Sequence, residues 1–196
     1  VVIMDLPGIY SLSPYTLEEV IARNYLINEK PDAILNIVDG SNIERNLYLT
    51  TELIDINPRM VVALNMYDEL EASGAVLDYE HLGAMLGVPM VPVVAKTGRG
   101  LEALLDTVIA VYENRDPRVR HIHINNGPVV EQALRPLYER LRSDRDELPK
   151  HFPPRYFAMK LLERDKEVEA QLADCPHFAE WIALRDRAVP QVEEEL

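Results

Sequence analysis

Several short polar motifs of this sequence begin where an apolar run ends. Asn65 and Asp68, spaced Asn-x-x-Asp, follow one such run. An ionised Asp68 can accept both the N1–H and the exocyclic amine N–H of guanine, whereas adenine offers no such pair of donors. Each hydrogen bond to a charged group contributes about 1.5–3 kcal/mol, which is enough to discriminate strongly between the bases. Asn65 would brace the loop and reach the purine.

Asp5-Leu6-Pro7-Gly8 ends the first apolar run. A carboxylate at this place can hold Mg²⁺ through water. A glycine three residues later lets the backbone approach a terminal phosphate and donate its N–H without a clash from a Cβ atom. Asp and Gly are also common in ordinary turns, so this motif alone does not decide between the two readings.

Val94-Ala95-Lys96-Thr97 ends another apolar run. Its backbone N–H groups could donate to the guanine carbonyl oxygen, and the small Ala95 side chain would allow close approach. An unremarkable strand end would have the same sequence. The spacing Asn36-x-x-Asp39 repeats that of Asn65 and Asp68, but Asn36 is predicted inside a strand, with its side chain and that of Asp39 on opposite faces.

The apolar runs themselves predict the elements that carry these motifs. Residues 1–4, 33–38, 60–64 and 88–94 read as buried strands, and amphipathic helices are predicted between them. Thr16 and Glu19 have the spacing of a helix capping box, and Asp78 can cap a later helix. Four successive β-α units predict an α/β, doubly wound sheet that binds its ligand at the carboxyl ends of its strands.

The pattern changes after Asp116-Pro117, because helical spacing continues without alternating strands. Helices are predicted around residues 130–141, 155–172 and 178–196. We therefore divide the chain into an α/β domain at residues 1–115 and a small all-helical subdomain at residues 116–196.

Composition excludes several functions. The formal net charge is −13, with 33 acidic against 20 basic residues, so the chain lacks the basic clusters that a nucleic-acid backbone requires. The single cysteine, Cys175, excludes an internal disulfide framework. His121, His123 and His177 do not show the spacing of a metal site. No apolar run approaches the roughly 20 residues needed to span a bilayer, so we expect this segment to be soluble.

At the polar motifs the sequence closely resembles the bacterial ferrous-iron transport protein B family. The resemblance is specific from residue 1 to about residue 112 and fainter in the helical part. In that family a cytosolic GTPase domain precedes a membrane domain that passes Fe²⁺ inward, and a helical part tightens guanine-nucleotide binding. The segments that carry the resemblance are Asp5-Leu6-Pro7-Gly8-Ile9-Tyr10-Ser11-Leu12, Ala22-Arg23-Asn24-Tyr25-Leu26, Glu44-Arg45-Asn46-Leu47-Tyr48-Leu49-Thr50, Ala63-Leu64-Asn65-Met66 and Ala158-Met159-Lys160-Leu161-Leu162-Glu163.

The resemblance implies a P-loop GTPase-type sheet that binds GTP or GDP with Mg²⁺, and K⁺ in addition where the family's usual determinants are present. Met66 stands where many other GTPases have lysine, and its aliphatic stem can cover the face of the base. The implied roles are Mg²⁺ binding through water for Asp5, γ-phosphate sensing for Gly8, guanine reading for Asn65 and Asp68, and the last base-contacting loop for Ala95 and Lys96.

Two departures from the family pattern limit what the 196 residues can do. Ile9 follows Gly8 where many small GTPases have a water-orienting glutamine. No G-x-x-x-x-G-K-[ST] phosphate loop and no magnesium-binding switch threonine occur. We therefore predict no catalytic residue in this chain and no hydrolysis by it alone. Because the family's first strand lies between the strand at Val1 and the next one, we expect the sheet to be completed by a missing piece, a rearrangement or a partner.

The resulting hypothesis is the nucleotide-hydrolysing module of an iron(II) transporter at the cytoplasmic face of the bacterial inner membrane. Its expected partners are guanine nucleotide, the membrane transport domain of the same polypeptide and a second copy in a homo-oligomer, with no nucleic acid. Two alternatives stay open. One is a soluble GTPase of ribosome or tRNA biology, which the acidic composition disfavours. The other is a non-catalytic interaction module derived from a GTPase.

Overall fold

The structure, a computed structural model, describes residues 2–13, 16–29, 31–57, 59–120, 122, 124–148 and 153–195. His121 and His123, predicted not to bind metal, lie outside these ranges. Contacts between residues divide the chain into two compact units. The first comprises Val1–Leu12 and Glu29–Ile124, and the second comprises Ser13–Asn28 and Asn125–Leu196.

A parallel three-stranded sheet forms the centre of the first unit. Its strands are β1 (Ile34–Asp39), β2 (Met60–Asn65) and β3 (Met90–Pro92), in the order β1-β2-β3. β2 is almost fully buried, as expected for the central strand of a covered sheet. The helices of this unit are α2 (Ile43–Ile56), α3 (Tyr67–Ala72), α4 (Tyr79–Leu86) and α5 (Leu101–Tyr112).

Helices cover both faces of the sheet. On one face Val61, Ala63, Val91 and Val93 form a buried cluster with Leu104 and Val111 of α5. On the other face the amide Nδ2 of Asn36 donates to the hydroxyl of Thr50 of α2 at 2.9 Å. Alternate side chains of the strands therefore point to opposite faces of the sheet and pack against helices on each face, as in a doubly wound fold.

The predicted first strand does not form. Residues 2–4 have no regular secondary structure, and Val2, Ile3 and Met4 are 93%, 80% and 56% exposed. An apolar run becomes a strand only when a neighbouring strand accepts its backbone hydrogen bonds, and no described strand pairs with this segment. The prediction of four strands is therefore wrong by this one, whereas the other three are confirmed.

One face of the sheet is only partly covered near β1. Leu35 and Ile37, which pair with Val61 and Ala63 in register, are 40% and 65% exposed. Helix α5 also has several exposed apolar side chains. The exposed large apolar side chains of α5 are Leu101, Leu105, Ile109 and Tyr112.

Local sequence signals for helix ends are confirmed. The backbone N–H of Glu19 donates to the Thr16 hydroxyl at 3.3 Å, and the N–H of Thr16 donates to the Glu19 carboxylate at 3.0 Å, which is the reciprocal pattern of a capping box. Asp78 accepts the N–H of His81 at 3.0 Å and so caps α4, which ends at Gly87 with φ +68°.

The described part of the second unit contains helices joined by turns and loops, and no strand. It consists of α1 (Leu17–Asn28), α6 (Pro128–Ser143), α7 (Pro154–Leu162), α8 (Lys166–Leu172) and α9 (Phe178–Glu195). The single helix predicted at residues 155–172 is in fact two helices. Arg164 has φ +60° and Asp165 caps α8 by accepting the N–H groups of Glu167 and Val168, so the chain turns between α7 and α8.

Helix α1 is part of the helical unit, although it lies before β1 in the sequence. Arg23 of α1 is fully buried and donates to the Asp165 carboxylate at 2.8 Å and to Glu167. Gln171 of α8 donates to the side-chain oxygen of Asn24 at 3.2 Å. These contacts attach Ser13–Asn28 to the helical unit, which also comprises Asn125–Leu196.

No helix in the described ranges is long and apolar enough to cross a membrane.

Candidate functional site

The carboxyl ends of all three strands meet at one edge of the sheet. Asp39, the last residue of β1, pairs in register with Asn65, the last residue of β2. The turn after β1 comes close to the loop after β2, because a Cβ atom at Gly40 would lie 3.1 Å from the Asn65 carbonyl oxygen. This edge is where an α/β sheet of this class places its ligand.

Asn65 joins the loops that follow β2 and β3. Its side-chain oxygen Oδ1 accepts the backbone N–H of Ala95 at 3.0 Å. A second contact runs the same way, since the N–H of Tyr67 donates to the Val93 carbonyl at 3.3 Å. The carboxylate of Glu71 accepts two hydrogen bonds from Arg99 at 2.8 and 2.9 Å. The predicted bracing by Asn65 is therefore present in the geometry.

Asp68 lies in the first turn of α3 and is exposed. Its carboxylate makes no hydrogen bond or ion pair with any described residue, so both oxygens are available to a ligand. Met66 precedes it with φ +56°, a left-handed conformation that is uncommon for a residue other than glycine. This turn of the backbone lets the chain leave β2 and start α3 within one residue, and it leaves the Met66 side chain 37% exposed.

The loop after β3 is a compact turn closed by a bridge between Val94 and Arg99. Gly100 ends it with φ +81°, and a Cβ atom there would lie 2.2 Å from the Pro92 carbonyl oxygen, so only glycine fits. Ala95 and Lys96 are exposed at the start of the turn. The Ala95 N–H is engaged by Asn65, whereas the Lys96 N–H donates to no described residue.

Asn36 and Asp39 both make side-chain hydrogen bonds inside the fold. Asn36 is buried and its amide donates to Thr50. Asp39 accepts the N–H and the hydroxyl of Ser41 at 2.9 and 2.7 Å and so starts the turn after β1. The side-chain contacts of this Asn-x-x-Asp pair are therefore satisfied inside the fold, unlike those of Asp68.

Asp5 and Gly8 lie in a segment without regular secondary structure, and both are exposed. No hydrogen bond or ion pair joins either residue to the residues at 65–68 or 95–96. A Cβ atom at Gly8 would meet no described protein atom within 4 Å, so the described part of the fold does not itself require glycine there. The structure thus joins the loops of Asn65 and Ala95 at one edge of the sheet by a hydrogen bond, and no such contact of a described residue connects Asp5 or Gly8 to them.

The fold also occurs in solved structures. The mGMPPNP-bound NFeoB from S. thermophilus matches with a TM-score of 0.81 and 35% identity, over 97% of this chain and 68% of that one. NFeoB from S. thermophilus bound to GDP.AlF4⁻ and K⁺ matches with a TM-score of 0.83 and 35% identity, over 97% of this chain and 70% of that one. The chain therefore has the α/β fold of a P-loop GTPase-type domain.

Sequence comparison identifies the family. The family model described as ferrous iron transport protein B matches residues 1–108, and the model of the FeoB cytosolic helical domain matches residues 127–196. This chain belongs to the ferrous iron transport protein B family.

Curated relatives agree with this assignment. An Fe(2+) transport protein A/Fe(2+) transporter FeoB fusion protein of Porphyromonas gingivalis is 47% identical over 99% of this chain, and the match covers 23% of that protein. An Fe(2+) transporter FeoB of Staphylococcus aureus is 31% identical over 97% of this chain, and the match covers 28% of that protein. The chain thus spans about a quarter of the length of these relatives.

Proposed function

We propose that this chain supplies the guanine-reading part and the helical subdomain of the cytosolic GTPase module of a ferrous iron transporter. The observation that carries the proposal is the hydrogen bond from the Ala95 N–H to Asn65 Oδ1. It fixes the loops after β2 and β3 to each other at the carboxyl edge of the sheet. Asp68 follows in the first turn of α3, with a carboxylate that no described residue engages.

Guanine fits the donors and acceptors of this edge. The Asp68 carboxylate would accept the N1–H and the exocyclic amine of the base, which are the two donors that adenine lacks at those positions. The Lys96 N–H is the better donor to the guanine carbonyl oxygen, because the Ala95 N–H already has an acceptor. The exposed side chain of Met66 would lie against one face of the base.

The phosphate side would involve Asp5 and Gly8. Asp5 is an exposed carboxylate without a described partner, which suits a Mg²⁺ ion that keeps most of its ligands as water and phosphate oxygens. Gly8 would donate its backbone N–H to the terminal phosphate. Mg²⁺ would neutralise charge on the phosphates. K⁺ is a further proposed cofactor, since the S. thermophilus relative was crystallised with it.

Hydrolysis, GTP + H₂O → GDP + phosphate, is proposed for a protein that contains a phosphate-binding loop. The 196 residues contain no such motif and no side chain that we assign to the chemical step. The chain by itself should therefore bind nucleotide weakly and not hydrolyse it. Measuring phosphate release by this chain and by the full-length protein tests this, and equal rates would contradict it.

The names of the relatives motivate the cellular part of the proposal. Both are described as Fe(2+) transport proteins, and this chain covers about a quarter of each. We propose that the module works at the cytoplasmic face of the bacterial inner membrane and acts on a membrane transport domain of the same polypeptide. Assembly into a homo-oligomer is proposed as well.

A change of base specificity tests the assignment of Asp68. Asp68→Asn replaces one acceptor by an amide donor, which suits xanthine because xanthine has a carbonyl where guanine has its amine. In the full-length protein we expect the affinity for GDP to fall at least about 10-fold, since a charge-assisted hydrogen bond is lost, and the affinity for xanthosine diphosphate to rise. Titration with fluorescent nucleotides measures both.

The matched control is Asp106→Asn, which makes the same change on the exposed surface of α5. It should leave both affinities unchanged. If Asp68→Asn also leaves guanine preference intact, Asp68 does not read the base. An unmodified full-length protein that binds adenine and guanine nucleotides equally would argue for the non-catalytic interaction module instead.

A further inference from the structure

Two contacts tie the segment that contains Gly8 to helix α2. The guanidinium carbon of Arg45 lies 3.8 Å from the centre of the Tyr10 ring, which is cation–π geometry. Two residues later the backbone N–H of Leu12 donates to the Glu52 carboxylate at 2.7 Å. The Leu12 side chain is fully buried, whereas Tyr10 is 54% exposed. We call these two contacts the α2 latch.

Both side chains of the α2 latch come from the same side of the helix. Arg45 and Glu52 are seven residues apart in α2, which is close to two full turns. They therefore meet the chain at two successive points, residues 10 and 12. Residues 2–9 have no regular secondary structure, so the latch orients a segment that no ladder of backbone hydrogen bonds holds.

Helix α2 is in turn fixed to the sheet that carries the base-side residues. Leu53 and Ile54 are buried, and Thr50 accepts the amide of Asn36 from β1. At its beginning α2 follows the turn at Gly40, whose Cα hydrogen points at the Asn65 carbonyl. The latch thus connects the segment after Gly8 to the same rigid element as the loop of Asn65.

We propose that Arg45 and Glu52 are positioning residues that set where the Gly8 N–H is presented to the terminal phosphate. The inference rests on the proposed function, since it assumes that Gly8 meets that phosphate. Neither side chain would touch the nucleotide. Gly8 stands only two residues before Tyr10, a span of at most about 7 Å, so fixing Tyr10 restricts the positions that Gly8 can reach.

The prediction is a selective loss of the response to the third phosphate. In the full-length protein, Arg45→Met should weaken binding of a non-hydrolysable GTP analogue about 2- to 5-fold, the range expected for one exposed cation–π contact. The affinity for GDP should stay unchanged, because the base and the first two phosphates do not depend on Gly8. Tyr10→Leu should have the same effect, and the two changes together should add little to either alone.

Conservative variants separate positioning from a general packing role. Tyr10→Phe keeps the ring and should keep the ratio of the two affinities. Glu52→Gln keeps an acceptor for the Leu12 N–H. It should therefore lose less affinity for the GTP analogue than Glu52→Ala. Arg115→Met is the matched control, because it removes an arginine that is 65% exposed and that, among the described residues, pairs only with the nearby Glu113 carboxylate.

If Arg45→Met and Tyr10→Leu weaken GDP and the GTP analogue equally, or change neither, the α2 latch does not position Gly8. If the unmodified protein shows no preference for guanine, the proposed function itself fails, and the result is seen before any latch variant is measured.

Discussion

Replacing the buried Arg23 should destabilise the helical unit more than replacing an exposed charged residue would. Its side chain is 0% exposed and that of its partner Asp165 is 4% exposed. If one charge is removed, water therefore cannot solvate the other. Removing one member of a buried ion pair typically costs about 3–5 kcal/mol. Glu167, the second partner, is 41% exposed and contributes less because solvent screens it. We therefore expect Arg23→Met to lower the free energy of unfolding by about 3 kcal/mol.

Asp165 has a second role as the cap of α8, so the loss of its charge must be tested separately from the loss of the cap. Its Oδ1 accepts the N–H groups of Glu167 and Val168 and caps α8, while Oδ2 accepts from Arg23. Asp165→Asn keeps a side-chain oxygen for the cap and removes the charge. The double variant with Arg23→Met removes both charges, so it should be no less stable than the worse single variant.

Urea denaturation followed by tryptophan fluorescence measures these free energies. Trp181 is the only tryptophan, is fully buried in the helical unit and donates to Asp144 at 2.8 Å, so its emission reports on this unit. Lys166→Met is the matched control, because Lys166 is 84% exposed and its pair with Glu169 should contribute less than about 0.5 kcal/mol. The reasoning would be refuted if the losses of unfolding free energy in the two single variants simply added in the double variant. It would also be refuted if Arg23→Met lost less than about 1 kcal/mol, which is the range of surface ion pairs.

Two further outcomes follow from local geometry. Gly100→Ala should destabilise the first unit by about 2–5 kcal/mol, because the positive φ would be strained and the new Cβ atom would clash with the Pro92 carbonyl. Gly8→Ala should change the denaturation midpoint little, because a Cβ atom there meets no described atom within 4 Å. Arg118 donates to Asp116 and lowers the pKa of that carboxyl below its ordinary value of 3.8. The stability from this pair is therefore complete above pH 3.8 and lost as the pH falls through the lower folded pKa. Arg118→Gln should remove that part of the acid dependence of urea midpoints, and identical pH profiles would contradict it.

Local signals in the sequence predicted the elements that depend on local interactions. The capping box of Thr16 and Glu19 and the cap by Asp78 form as their spacing requires. The run that ends at Asn65 is a buried strand, and the loop after it follows at once. These features depend on residues only a few positions apart, so the local sequence is enough to predict them.

Features that depend on distant partners could not be predicted. Arg23 is separated from Asp165 by 142 residues, and nothing in the helical pattern around either residue indicates the pairing. The apolar run at residues 2–4 fails as a strand because a ladder partner is a property of the sheet and not of the run. Likewise, the engagement of the Ala95 N–H by Asn65 appears only when two loops 30 residues apart meet.

The exposed flank of β1 has a consequence for experiments on the separate chain. β1 is an edge strand of the described sheet, and its residues Leu35 and Ile37 are 40% and 65% exposed. Such an edge is a template to which a strand of another molecule can add, and its apolar side chains strengthen the adhesion. The formal charge of −13 opposes this by repulsion between copies, which salt weakens. Dimers or aggregates of the isolated chain would therefore result from pairing at this strand edge rather than from the homo-oligomer proposed above.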